Sequence, residues 1–529
     1  MNFQNNQIMK TIIFTLVFLS TIFSFNKVLF AQNYDSTFFP IGVWSVRGDF
    51  RGIDDFLFNV ETAASFHHTS FQNLKEQGFN SIFMSYDPIS YTLDTILDIA
   101  EMYDMKVIPP FINLHQLIGS SNENDVTDDE IREALTIDGI DRIRNSPATL
   151  GYYLYDEPLQ GWIDFEVLER AKDIFIEETN GNHPVLSTWN DEQQMSYIDS
   201  YLHPEVLMMD SYPLEDGDAI GDLSDYMPSY FTSMPDPPPF SDYINTVRQN
   251  HCESIDRPMW VVFQAFGDME TQENWGFWRQ VYPKEIRLQV YLSIMQGAKG
   301  LWYFLYESEF PYLLGMLDVS GQPTQRLTEA IAVNAEINKI SDILLKLRVV
   351  NDSTAVSTSF GEVKMHVDYS SELNDKYIIA VNTDVFDTSV ITLSVKKSTV
   401  DYAVKSVLNI SDTKELSFTE NGSTIDFTVQ LGPGSGALIK LSDEVSAVET
   451  LPIAENIRIF PNPAENSIQI KMGNLQLLKY SIYNTMGSLI IENAQLQNGS
   501  IDIDFLNPGV YIIRVNTDKG ILNKKFVKR

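Results

Sequence analysis

The chain has 529 residues, of which 44% are hydrophobic and 12% are aromatic, and its formal net charge is −35 at pH 7. This length predicts two to four domains with a sizeable core. The acidic surplus lies in residues 33–452, whose net charge is −40. Such a surface repels nucleic acid and anionic membranes, and it suits an extracellular protein that handles a neutral ligand. Cys252 is the single cysteine, which excludes an intrachain disulfide and a cysteine-based zinc site.

Residues 1–32 have the pattern of a secretory signal peptide. Lys10 precedes the apolar run TIIFTLVFLSTIFSF, and Ala31 supplies a small residue before the expected cleavage site. The run is shorter than the roughly 20 residues that a membrane-spanning helix needs. We therefore expect cleavage and no integral membrane span afterwards, with an uncleaved anchor as the alternative.

Residues 33–345 alternate short apolar runs with helix-length amphipathic segments. The eight strand candidates are residues 38–44, 79–86, 105–112, 148–155, 184–189, 205–212, 258–266 and 300–306. Eight strands alternating with helices over about 300 residues predict an α/β fold, a (β/α)8 TIM barrel. A doubly wound open sheet is the alternative, and the absence of a glycine-rich phosphate loop after the first strand disfavours it.

The remainder of the chain changes to a two-residue period. Residues 346–442 contain short alternating runs separated by Asn, Gly, Asp and Ser, which predicts an all-β sandwich. Residues 443–456 form a polar linker, and residues 457–529 form a smaller C-terminal β-sandwich module.

The C-terminal module resembles the type A sorting domain of the type IX secretion system. The resemblance is carried by Phe460-Pro461-Asn462-Pro463, Tyr483-Asn484-Thr485-Met486-Gly487, Pro508-Gly509-Val510-Tyr511 and the terminal Lys/Arg cluster. It implies recognition by the type IX machinery, export across the outer membrane, and a secreted or surface location. A carbohydrate-binding β domain is the alternative interpretation.

One stretch in the barrel, residues 148–158 (ATLGYYLYDEP), indicates where the chemistry lies. It is an apolar, β-prone run that ends at two adjacent carboxylates and a proline. Burying Asp156 and Glu157 together would be costly, so we expect the strand to end there and to present them to a water-accessible cleft. Pro158 cannot extend a central strand.

The other strand ends predict a carbohydrate site, because active sites of such barrels lie at the carboxyl ends of the strands. Aromatic rings stack on sugar rings, carboxylates and amides bind hydroxyl groups, and paired acids cleave glycosidic bonds. The predicted substrate-binding residues are Trp44, Tyr86, His115, Tyr155, Trp189, Asp210, Tyr212, Gln264 and Trp302. The predicted catalytic residues are Glu157, Asp156 and Glu307.

Residues 38–345 resemble the barrel of clan A glycoside hydrolases. The resemblance rests on Tyr155-Asp156-Glu157-Pro158, Asp210-Ser211-Tyr212-Pro213, residues 258–267 and residues 296–303. In that clan the acid/base glutamate ends strand four, which implies this role for Glu157. The clan's nucleophile is a glutamate that ends strand seven, where this chain has Gln264.

That departure leaves the second carboxylate open. Glu307 or Asp210 could supply it. Alternatively, Asp156 and Glu157 resemble the pair of substrate-assisted hexosaminidases, in which the aspartate orients a 2-acetamido group that itself attacks.

We therefore expect a secreted glycoside hydrolase that cleaves O-glycosidic bonds of an extracellular poly- or oligosaccharide without a metal or other cofactor. A non-catalytic glycan-binding surface protein is the alternative. A polysaccharide lyase is a weaker third hypothesis, because it would need a site able to neutralise a uronate. The sugar, the linkage, endo or exo action and the oligomeric state are not predicted.

Overall fold

The computed structural model describes sixteen stretches of the chain. They are residues 36–44, 60–84, 93–109, 111–119, 126–158, 163–190, 195, 201–223, 239–269, 277–309, 311–444, 458–471, 477–484, 489–494, 500–517 and 520–529. The described residues fall into two compact units, the first within residues 36–444 and the second within residues 458–529.

The first unit opens with the predicted parallel barrel, which is confirmed. Its strands are β1 (Ile41–Trp44), β2 (Ser81–Phe83), β3 (Lys106–Ile108), β4 (Tyr152–Tyr155), β5 (Val185–Trp189), β6 (Leu207–Ser211), β7 (Met259–Gln264) and β9 (Gly300–Phe304). Each lies within one of the eight segments expected from the sequence. Their order around the sheet is β3-β2-β1-β9-β7-β6-β5-β4, and the paired strands run parallel.

The sheet closes between β3 and the residues that lead into β4. Val107 N donates to Ala148 O, and Leu150 N donates to Val107 O, each at 2.8 Å. An open doubly wound sheet is therefore excluded. A pair of two-residue strands, β8 (Gly267–Asp268) and β10 (Leu313–Leu314), joins the loops that follow β7 and β9.

Helices surround the barrel because their apolar faces cover the outer side of the strands. They are α1 (Val60–Glu76), α2 (Leu93–Met102), α3 (Ile112–Gly119), α4 (Asp128–Ile137), α5 (Ile140–Ile143), α6 (Phe165–Thr179), α7 (Phe240–Val247), α8 (Pro283–Met295), α9 (Gln325–Ile337) and α10 (Ser341–Lys346). A π-helical turn (Arg248–Cys252) and a 3-10 turn (Glu253–Ile255) follow α7. No helix within the described stretches is long and apolar enough to cross a membrane.

Side chains fill the interior of the barrel, so it is a packed core and not a channel. Gly42 shows how tightly the interior is packed, since a Cβ atom there would lie 2.3 Å from the Trp302 ring. The inward cluster is Trp44, Phe83, Ile108, Leu150, Tyr153, Leu186, Val206, Met208, Trp260, Val262 and Trp302.

The predicted sandwich follows and packs on the barrel. One sheet has the order β11 (Leu347–Val349), β13 (Glu362–Asp368), β14 (Asp375–Val381), β20 (Gly436–Ser442), β16 (Ser406–Asn409) and β17 (Lys414–Leu416). The other has the order β12 (Val356–Thr358), β15 (Ser389–Lys396), β19 (Thr424–Leu431) and β18 (Phe418–Asn421). Tyr377, Ile379 and Leu438 belong to the same buried cluster as the barrel helices. The His366 ring lies 3.0 Å from Met295 O at the end of α8.

The second unit is a separate β module with its own core, which includes Ile468, Ile482 and Ile513. Its three-stranded sheet contains β21 (Arg458–Phe460), β22 (Ser467–Lys471) and β25 (Ser500–Asp502). Its four-stranded sheet contains β24 (Leu489–Ala494), β23 (Leu477–Asn484), β26 (Gly509–Thr517) and β27 (Gly520–Lys528).

Candidate active site

The end of β4 has an unusual backbone. The pairing of β4 with β5 shifts register between Tyr153 and Tyr155, so one extra residue is accommodated there. Glu157 then has φ of +39°, in the left-handed region that residues other than glycine seldom adopt. A bulge redirects side chains at a strand end, and retained backbone strain is concentrated at functional sites. The backbone thus turns Asp156 and Glu157 away from the regular alternation of the strand.

Asp156 is exposed at the mouth of the barrel, which is the open end formed by the carboxyl ends of the strands. One of its carboxylate oxygens accepts hydrogen bonds from two side chains of the barrel interior. Tyr153 Oη donates to Asp156 Oδ1 at 2.6 Å, and Thr188 Oγ1 donates to the same oxygen at 2.7 Å. Burial raises the pKa of Tyr153 well above its usual value, so the phenol keeps its proton and remains a donor. These two contacts fix the orientation of the Asp156 carboxyl group.

Glu157 is partly exposed and lies among other acidic groups. Burial at the mouth, followed by the charge of Asp210, a hydrogen bond with Asp210 and the charge of Asp156, raises the pKa of Glu157 well above its usual value. A hydrogen bond with Asn190, which follows β5, opposes this shift. These surroundings favour the protonated form of Glu157, which is the form that a general acid needs.

Asp210 comes from β6 and contacts Glu157 across the mouth. Only 3% of Asp210 is exposed, and burial raises its pKa to about 6, while hydrogen bonds with Glu157 and Tyr212 oppose the shift. The hydrogen bond between them raises the pKa of Glu157 and lowers that of Asp210, which makes Glu157 the donor and Asp210 the acceptor. Environments that separate the pKa values of neighbouring acids are typical of acid/base sites.

Aromatic rings form the floor and one wall of the mouth. Trp44 stacks on Phe83 with ring centroids 3.8 Å apart and meets Tyr153 edge-on at 5.6 Å. Phe304, at the end of β9, packs at 6.0 Å from Trp44 and stacks on Tyr212 at 5.4 Å. Phe304 and Tyr212 are partly exposed, whereas Trp44 is buried. The structure therefore places Trp44 in the floor and Tyr212 in the wall.

His115 and Tyr155 lie beside this floor. The sequence placed His115 at a strand end, but it is on α3, where its ring lies 3.1 Å from Tyr153 O and 5.7 Å from the Tyr155 ring. Burial lowers the pKa of His115, so the ring is neutral at pH 7. Tyr155 is partly exposed, and its carbonyl accepts a hydrogen bond from Ser187 Oγ.

Three predicted sugar ligands do not reach the mouth. Trp189 points outwards from β5 and packs near Phe165 behind the barrel, with 1% of its surface exposed. Trp302 is fully buried deeper in the barrel, with its ring centroid 5.9 Å from that of Trp260. Gln264 is also fully buried. These residues lie on the strands to which the sequence assigned them. The side chain of Trp189, however, points to the outer side of β5, and that of Trp302 lies in a layer of the barrel interior below the mouth.

Gln264 has a structural role. Its amide oxygen accepts from Leu214 N at 2.9 Å, and its amide nitrogen donates to the carbonyls of Leu214 and Phe266. The end of strand seven therefore presents to the mouth neither a carboxylate nor an available amide. A buried amide that is satisfied by backbone groups is an ordinary structural feature.

Two predicted residues have less definite positions. Glu307 follows β9 and is partly exposed, and its carbonyl would lie 2.9 Å from a Cβ atom added at Gly315. Tyr86 lies outside the described residues.

Four residues that contact the site were not predicted as ligands or catalysts. Tyr153 and Thr188 hold Asp156, Asn190 contacts Glu157, and Phe304 lines the wall. The alternation of side chains along β5 and β9 could have indicated Thr188 and Phe304.

A cavity of about 780 Å³ lies at the opposite end of the barrel. It is lined by residues at the amino ends of strands and by the sandwich, including His203, Met259, Lys299 and Leu347. It contains none of the mouth carboxylates, and active sites of TIM barrels lie at the other end. The candidate active site is therefore the mouth at the carboxyl ends of the strands.

Comparison with solved structures supports the assignment of the fold. A glycoside hydrolase superposes with a TM-score of 0.50 and 13% identity, covering 77% of this chain and 93% of the other. A glycoside hydrolase family 5 protein from Bacteroides vulgatus superposes with a TM-score of 0.51 and 11% identity, covering 77% of this chain and 92% of the other. The barrel therefore has the fold of clan A glycoside hydrolases.

Sequence comparison identifies the second unit. Residues 458–529 match the family described as "Secretion system C-terminal sorting domain". The chain thus carries a type IX sorting domain and is directed to the cell surface or the extracellular space. No curated protein matches the chain as a relative.

Proposed function

We propose that the protein is a secreted glycoside hydrolase that cleaves O-glycosidic bonds of an extracellular poly- or oligosaccharide, with Glu157 as the proton donor. The observation that carries the proposal is the position of Glu157 at the open end of a glycosidase-type barrel, where burial and contact with Asp210 raise the pKa of its carboxyl group well above the usual value. A carboxyl group that keeps its proton at neutral pH can protonate the leaving glycosidic oxygen. The wall formed by Tyr212 and Phe304 offers apolar surface to a sugar ring.

The second catalytic group is assigned by elimination to Asp156 or Glu307. Asp210 is too close to Glu157, because retaining enzymes separate their carboxyls by about 5–5.5 Å and inverting enzymes by about 6.5–9.5 Å. Asp156 is exposed, and its orientation is fixed by Tyr153 and Thr188. In this role it would orient a 2-acetamido group of the substrate, whereas Glu307 would act directly on the anomeric carbon or a water.

The test is turnover of a panel of algal, plant and host glycans by the full chain and its variants. We expect Glu157→Gln to lower kcat by about 10²–10⁴-fold, the usual contribution of a general acid. The matched control is Asp368→Asn, which removes a buried carboxylate in the sandwich and should leave turnover unchanged. Undiminished turnover by Glu157→Gln would refute the assignment.

The same panel identifies the second group. If Asp156 orients an acetamido group, then Asp156→Asn should lower kcat on 2-acetamido sugars and Glu307→Gln should change it little. The reverse order of effects, with rescue of Glu307→Ala by azide, would assign the second carboxylate to Glu307.

A non-catalytic glycan-binding protein is the second candidate, and Gln264 favours it. Strand seven ends in a fully buried amide where the resemblance implies a nucleophile. Saturable glycan binding without turnover by the wild-type chain would establish this function.

A further inference from the structure

We propose that Asp210 is a positioning residue that shares the acid proton of Glu157 and so keeps Glu157 in its donor form; sugar binding is not its role. The inference rests on the proposed function of Glu157 and deepens it. Asp210 extends from a regular strand, whereas Glu157 lies on a strained turn, so the rigid partner can orient the other.

The first support is an unmet hydrogen bond. Asp210 Oδ1 is buried and accepts no hydrogen bond from the described residues. A buried carboxylate oxygen without a donor costs free energy. A proton on Glu157 supplies the missing donor, because the two carboxyl groups are in hydrogen-bonding contact.

The second support is the accessibility of the two groups. Asp210 is 3% exposed, so little of its surface is available to a substrate, whereas Glu157 is partly exposed. The proton therefore lies between an inaccessible carboxylate and an accessible carboxyl. Only Glu157 can pass it to a bound glycosidic oxygen.

Asp210 is the neighbouring carboxylate that accepts the Glu157 proton in a hydrogen bond. Asp156 acts on Glu157 by its charge, while its own Oδ1 is bound to Tyr153 and Thr188. Within the part of the chain that the structure describes, Asn190 after β5 also acts on Glu157, and Tyr212 after β6 acts on Asp210. Burial raises the pKa of Tyr212, so its phenol remains a donor to Asp210.

The direct test is infrared difference spectroscopy of the full chain, which needs no substrate. At pH 7 the wild-type protein should show the C=O band of a protonated carboxyl group, and Glu157→Gln should lack it. Asp210→Asn should also lack the band, because the new amide can donate to a Glu157 carboxylate and favour the charged form. Absence of the band from the wild type, or its full retention in Asp210→Asn, would overturn the proposal. The wild-type measurement decides even if Asp210→Asn does not fold.

Kinetics separate positioning from sugar binding wherever the glycan panel yields a substrate. The alkaline limb of kcat/KM should move to lower pH by one unit or more in Asp210→Asn, with less than a twofold change in KM. If the alkaline limb of Asp210→Asn stays at the wild-type pH and its KM rises, Asp210 is a sugar ligand, and its positioning role is refuted. Absence of turnover in the wild type would refute hydrolysis, whereas the infrared result would still report on the shared proton.

Discussion

The stability of the folded chain should depend on pH through Asp210, and Asp210→Asn should remove this dependence. The folded-state pKa of Asp210 is raised to about 6, against about 3.9 for an unfolded aspartate. Between these two values the folded chain binds more protons at this site than the unfolded chain does. Wild-type stability is therefore lost as the pH rises through this window.

The size of this change in the free energy of unfolding follows from the shift in the pKa of Asp210. A difference of about two pKa units, at about 1.4 kcal/mol each, corresponds to about 3 kcal/mol. The free energy of unfolding of the wild type, minus that of Asp210→Asn, should fall by at least this order between pH 4 and pH 7, because the substitution also lowers the pKa of Glu157, which changes the difference in the same direction. Any pH-independent change in hydrogen bonding cancels in this difference.

The assay is equilibrium urea unfolding of both proteins at several pH values, followed by the fluorescence of the barrel tryptophans. A difference that is constant with pH, or that favours the wild type more at higher pH, would refute the reasoning. Either result would mean that Asp210 does not bear the burial cost that the structure assigns to it.

Three further predictions concern the floor and the end of strand seven. Gln264→Glu should destabilise the protein by several kcal/mol in a urea titration at pH 8 and should not increase turnover, because it buries a charge and places the second carboxylate oxygen against the carbonyls of Leu214 and Phe266. Trp44→Ala should cost about 3–5 kcal/mol in the same assay, because it removes a buried ring stacked on Phe83; a loss below 1 kcal/mol would contradict the packed floor. Tyr153→Phe should lower turnover, because it removes one of the two hydrogen bonds that orient Asp156. Thr188→Val removes the other donor to the same oxygen and should also lower turnover.

The fold could be predicted because its signals are local and repeated. Each barrel strand is a short apolar run between helix-length segments, so errors of a few residues at the ends do not alter the order of elements. The sorting domain could be predicted because several motifs recur in a fixed order across its length.

The site could be predicted only in outline. Asp156 and Glu157 were identified because two adjacent acids at the end of an apolar strand are costly to bury. The contact of Glu157 with Asp210 joins residues 53 positions apart and depends on the closure of the barrel, which no local pattern encodes. Trp189 was misplaced because a strand-end position alone does not say to which side its ring points.

The shared core of barrel and sandwich restricts how this chain can be divided. Gly434 in the sandwich approaches α8 so closely that a Cβ atom would lie 2.5 Å from Lys284 O. A chain cut after residue 345 would leave apolar surface of α8 in water, because Ile379 and Leu438 would no longer cover it. Recombination between related genes should therefore transfer the two halves as one piece, whereas the sorting domain, which has a core of its own, can be exchanged freely.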